Sequence, residues 1–246
     1  MTHADADSGP TESLPAEQPP CPRCLKPVAL CVCDEVAPVD NRIELVILMH
    51  PQEQDRTLGT ARLAALHFAH ATLKIGLSWP SLSKILGRTV DPQRWAVVYL
   101  GSVKPADLGV DGELIFVDRK GQAEERQSAI ARSIEGVILL DGTWSQAKAL
   151  WWRNPWLLKC QRVVLAPTKP SGYGRLRREP RREGLSTIEA AGLVMSALER
   201  KPEIAERLGQ TFGLMLARYR AAAVEGREAA GPRRSRGGKP RTRRSR

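Results

Sequence analysis

Six short runs of mostly apolar, β-rich residues punctuate the chain: "RIELVILM" (42 to 49), "ATLKIG" (71 to 76), "RWAVVYL" (94 to 100), "ELIFVD" (113 to 118), "GVILLD" (136 to 141) and "QRVVLA" (161 to 166). Each has strand length and strand composition. Helical stretches such as Thr57 to His67 and Trp144 to Trp152 lie between several of them. Strands this uniformly apolar must be covered on both faces, so the pattern predicts an α/β fold: a mostly parallel sheet with helices on both faces. Toward the C-terminus, Ser186 with Glu189 three residues on is the pattern of a capping box, and Ile188, Leu193, Met195 and Leu198 continue it as a helical stripe. A second helix is expected from about Pro202 to Val224. No internal repeat is apparent.

Composition adds limits. The 246 residues suit one domain with attachments, and an apolar fraction of 42% is enough for a core. No run approaches the roughly 20 apolar residues that a membrane span needs. The first twenty residues have neither the basic start nor the apolar centre of a secretory signal, so a cytoplasmic protein without a membrane or obligate protein partner is the expectation. The formal net charge of +11 is uneven: residues 231 to 246, "GPRRSRGGKPRTRRSR", are basic without one acid, and the first twenty residues are acidic without one base. The body between them is basic in its own right, which points toward a polyanion such as nucleic acid. The expected organisation is a disordered leader (1–20), a cysteine knuckle (21–40), an α/β body (41–226) and a basic disordered tail (227–246).

The knuckle rests on "CPRCLKPVALCVC", which sets Cys21, Cys24, Cys31 and Cys33 as two close pairs around a six-residue loop. Two such pairs can converge on one tetrahedral ion, and zinc favours thiolates. Two disulfides, or a redox pair at Cys21 and Cys24, are the other arrangements open to these residues.

Candidate chemistry gathers at "LLDGTWSQAKALWW". Asp141 would end a strand at the carboxyl edge of the sheet, where ligands of open α/β folds bind. Either Asp141 or Thr143 could instead cap the helix that follows. Trp144, Trp151, Trp152 and Trp156 either pack on the sheet or stack on bases. No Gly-x-Gly-x-x-Gly and no Walker sequence is present. His50, beside Pro51, could face a ligand, whereas His67 and His70 read as packing or surface residues. Between residues 168 and 190, Lys169, Arg175, Arg177, Arg178, Arg181 and Arg182 crowd a Gly- and Pro-rich loop whose guanidinium groups suit phosphate.

Five segments in order, "CPRC…CVC", "HPQEQDRTLGTARLA", "VVYLGS", "LDGTW" and "PSGYGRLRREP" with "LSTIEA", resemble the DTW-domain family of tRNA-uridine aminocarboxypropyltransferases, over roughly Cys21 to Arg200. The resemblance implies a SPOUT-like fold with a C-terminal trefoil knot holding S-adenosylmethionine. It also implies transfer of the 3-amino-3-carboxypropyl group to N3 of a uridine in tRNA, with release of 5′-methylthioadenosine. By that likeness Asp141 is the expected base or a ligand of the donor, with Thr143 and Trp144 beside it. Leu100, Gly101, Tyr173, Leu185, Ser186, Thr187 and Glu189 are expected to neighbour the cofactor, and Arg62 joins the basic loop as an expected phosphate contact.

Overall fold

A computed structural model describes residues 19–98, 105–174, 176 and 184–229. Six strands form one sheet: β1 (Glu44–Met49), β2 (Ala71–Ile75), β3 (Trp95–Val98), β4 (Leu114–Val117), β5 (Gly136–Asp141) and β6 (Gln161–Leu165). Their order is β2-β1-β5-β3-β6-β4. The first five in that order run parallel, and β4 pairs antiparallel with β6 at one edge. The expected α/β class with a mostly parallel sheet is what is observed.

Helices cover both faces, as the apolar strands require. Alternate side chains of a strand point to opposite faces, so Leu45, Ile47, Met49, Val137 and Leu139 meet α1 (Ala61–Leu66), α5 (Thr187–Glu199) and α6 (Glu203–Ala229). Val46, Leu48, Val97 and Ile138 face the other way. They pack with α2 (Leu82–Leu86), Trp95 and the 3-10 turn Pro155–Lys159, beside α4 (Trp144–Arg153). Gly136 pairs in register with Trp95, and a Cβ on Gly136 would clash with the Trp95 ring. Only glycine lets that indole close over the strand.

The connections place one crevice. From β1 the chain passes through α1 to β2 on one side, whereas from β5 it passes through α4 to β6 on the other. The carboxyl ends of β1 and β5, where Met49 pairs with Asp141, therefore form a topological switch point.

Some elements differ from their expected extents. The helix expected over 57 to 67 starts only at Ala61, because the carbonyls of Thr57, Leu58 and Gly59 accept hydrogen bonds from distant side chains rather than from helix amides. Helix α2, capped by Ser81 and ended by Gly87 in the left-handed region, and α3 (Gln127–Ser133) were not expected from the pattern; neither is long enough to show a hydrophobic period. Among the described residues no helix is long and apolar enough to cross a membrane.

His67, at the end of α1, is buried and neither ring nitrogen has a hydrogen-bond partner. Burial, helped by the positive charge of Arg207, pushes its pKa down to about 4. The unfolded chain takes up this proton near pH 6.5, and the folded one resists until about pH 4. The stability from keeping His67 neutral is thus complete above pH 6.5 and is lost as the pH falls toward 4. Urea unfolding should show a loss of about 2 kcal/mol between pH 7 and pH 4.5 that His67→Leu abolishes. An equal loss in the variant would assign the effect to other groups.

Candidate active site at the carboxyl edge of the sheet

Asp141 is the last residue of β5, and its alternation with Val137 and Leu139 turns it toward the α5 layer. It is only 8% exposed. The hydroxyl of Thr187, first residue of α5, donates to its Oδ1. That bond joins the "DGTW" turn to the "LSTIEA" segment, 46 residues apart. Thr143, not Asp141, caps α4: its hydroxyl accepts from the Gln146 amide and the Gln146 side chain accepts from the Thr143 amide, at 2.6 Å. The capping role therefore falls to Thr143. A Cβ on Gly142 would lie 2.8 Å from the Cβ of Gln146, so the tight turn between strand and cap depends on glycine.

The start of α5 is equally engaged. Ser186 and Glu189 form the expected capping box, and the Glu189 carboxylate also accepts from the Ser171 hydroxyl at 2.6 Å and the Gly172 amide at 2.7 Å. Glu189 thus folds the 171–174 loop onto the helix. Tyr173 sits in the core, edge-on to Phe212, with its hydroxyl donating to the Leu58 carbonyl at 2.7 Å. Ile188 donates its amide to the Thr60 hydroxyl. Leu185 is half-buried just ahead of the cap.

Across the crevice, the segment after β1 completes the edge. His50 donates its amide to the Asp141 carbonyl at 2.9 Å, and its ring nitrogen caps the turn Pro51–Glu53. The Gln146 side chain donates to that of Gln52 at 3.0 Å, tying α4 to this turn. Glu53 is buried, a feature with no sequence signal beyond its place in "HPQEQDR". Arg62 is half-buried on α1, and Lys169 is exposed. Trp156 lies in the core, Trp151 packs beside it, Trp144 is half-buried under Lys148, and Trp152 stands out in solvent. Leu100, Gly101, Arg175, Arg177, Arg178, Arg181 and Arg182 lie outside the described residues.

The four knuckle cysteines converge, with all sulfurs within 4.8 Å of one another, and could hold a metal ion. Sulfurs about 2.3 Å from a tetrahedral ion sit about 3.8 Å apart. Cys21 with Cys33 and Cys24 with Cys31 are each 3.8 Å apart, and all five thiols of the chain are free, which favours the metal over the disulfide arrangement. The backbone amide of Cys24 draws the Cys21 thiol down to about 6, while burial pushes the Cys24 and Cys33 thiols up. Between the ligands, Lys26 turns inward and donates to the carbonyls of Thr57 at 2.8 Å and Gly59 at 2.7 Å. The knuckle is thereby fastened to the segment that also receives Tyr173 and α5.

A DTW-domain family model matches residues 18–220, most of the chain. This chain belongs to the DTW-domain family. It is similar to tRNA-uridine aminocarboxypropyltransferase 2 of Mus musculus, with 30% identity over 203 residues, 79% of this chain and 63% of that protein. The protein of the same name from Drosophila melanogaster is 30% identical over 200 residues, 76% of this chain and 70% of its own. That from Macaca fascicularis is 27% identical over 216 residues, covering 83% and 67%. This chain thus spans less than two thirds of the mouse relative. No solved structure matches it significantly.

Replacing Lys26 by Met keeps the apolar stem but strands two inward carbonyls. Lys26→Met should lower stability by about 1–3 kcal/mol in chemical denaturation. Metal content per chain should stay unchanged. Wild-type stability in this variant would show that the bonds to Thr57 and Gly59 hold nothing.

Proposed function

We propose that this protein transfers the 3-amino-3-carboxypropyl group of S-adenosylmethionine to N3 of a uridine in tRNA, in the variable loop, and releases 5′-methylthioadenosine. The observation that carries the reading is the Asp141 carboxylate, buried at the switch point and held by the hydroxyl that opens α5. Membership in the DTW-domain family and the names of the relatives supply the reaction class.

The donor, when bound, supplies a sulfonium whose γ-carbon bond breaks to leave a neutral thioether. Uridine N3 keeps its proton at neutral pH and attacks poorly until that proton leaves, so a placed carboxylate helps as general base. Asp141 is assigned that role. The Thr187 hydroxyl fixes its orientation. Thr143 and Gln146 hold the turn beside it, and Trp144 flanks it on α4. Ser186, Glu189 and Leu185 shape the approach to α5, with Leu100, Gly101 and Tyr173 as the remaining walls of the donor site.

The reading brings finer assignments with it. The fold is SPOUT-like, with a C-terminal trefoil knot. The knuckle ion is structural zinc, supported by four convergent thiols. The exposed Lys169 and the basic loop at 175–182 face tRNA phosphates, in a cytoplasmic enzyme whose domain limits follow the leader, knuckle, body and tail expected from composition.

Incubation of the purified chain with S-adenosylmethionine and unmodified tRNA should yield methylthioadenosine and an RNA mass increase of one aminocarboxypropyl group. Asp141→Asn should slow turnover by about 100-fold or more, the range of a lost general base. S-adenosylhomocysteine with a methyl adduct would instead make the protein a methyltransferase.

A further inference from the structure

Between the cysteine knuckle and the segment after β1 lies a cleft of about 140 Å³, lined among others by Cys24, Lys26, Met49, Glu53, Gly59 and Arg62. It opens on the β1 side of the switch point, because Met49 is the residue that pairs with Asp141. Its wall holds two opposite charges with unmet hydrogen bonds. The Glu53 Oε1 is buried without a hydrogen-bond partner, and so is the Nε of Arg62. Arg56, itself exposed, reaches the buried Glu53 only as an ion pair at 3.7 Å, beyond hydrogen-bond range. Lys26 does not answer Glu53 either; its ammonium is drawn to the Thr57 and Gly59 carbonyls.

Buried polar atoms of charged side chains left without a hydrogen bond are costly, and each calls for a reason such as a ligand that completes it. A partner carrying both an ammonium and a carboxylate on neighbouring atoms matches this pair; a neutral nucleobase matches neither charge in full. We infer that the cleft takes the α-amino-acid end of the donor, its ammonium on Glu53 and its carboxylate on Arg62. This rests on the transferase reading above and deepens it. Anchoring that end gives the γ-carbon a defined place relative to Asp141, whereas the methyl group gains no such anchor, and orientation of this kind governs which carbon is attacked. Arg62 thus serves the donor rather than tRNA phosphates. The knuckle acquires a role as one wall of the donor site.

The test is calorimetric titration of the full-length, metal-loaded chain with S-adenosylmethionine and, separately, with 5′-methylthioadenosine, which lacks the amino-acid chain. Glu53→Gln and Arg62→Met should each weaken S-adenosylmethionine binding about ten-fold or more and leave methylthioadenosine binding unchanged. Arg62→Lys, which keeps the charge, should recover part of the loss. Equal weakening of both ligands would overturn the inference by showing a general structural effect. Unchanged S-adenosylmethionine affinity with a raised KM for tRNA would overturn it in favour of an RNA contact. A wild-type chain that binds neither ligand would strike at the transferase reading itself, a result distinct from either of these.

Discussion

The hydroxyl of Thr187 on the carboxylate of Asp141 is the contact on which the candidate site depends. It brings together a strand end and a helix start that the chain separates by a whole crossover, and it places an ionisable group where the sheet's connections diverge. Everything nearby limits the freedom of these two residues. Gly142 permits the turn, the Thr143–Gln146 box fixes α4, and the Ser186–Glu189 box fixes α5 while drawing in the 171–174 loop. Both helix starts cap themselves with Thr or Ser, so Asp141 caps neither.

The segment from His50 to Thr60 is the second organising element. It accepts from Lys26 of the knuckle, from Tyr173 of the core and from the first turn of α5, and it presents Glu53 inward. These bonds replace the helix that its composition favours up to Ala61. A peripheral knuckle thereby becomes continuous with the crevice. This gives a physical reason for a small four-cysteine module, which has no room for a hydrophobic core of its own, to be joined to an α/β body: Lys26 carries the order of the converging cysteines to the sheet edge.

Much of this was legible in the chain. The apolar strands declared a covered parallel sheet, "GVILLD" placed Asp141 at its edge, and the serine and glutamate of "LSTIEA" announced the capped helix, because each signal is local. The cysteine spacing was equally readable, since convergence on one ion needs only short loops. What escaped was set by distant partners. Nothing in "DRTLGTARLA" shows that its carbonyls are taken by Lys26 and Tyr173, so the helix was expected to start too early. Burial of Glu53 and the half-burial of Arg62 are also tertiary facts; from sequence, an arginine on an amphipathic helix reads as a surface cation. The strand order, and with it the switch point between β1 and β5, emerges only when the crossovers are traced.

The site assignments stand or fall with donor binding in the crevice between the ends of β1 and β5. Hydrogen–deuterium exchange of the full chain, with and without saturating S-adenosylmethionine, probes that crevice residue by residue. Slowed exchange is expected in residues 49–60, 141–146 and 184–190 together, with β2 and α2 unaffected. Protection confined to other elements, or exchange at the switch point that S-adenosylmethionine leaves unchanged, would contradict it.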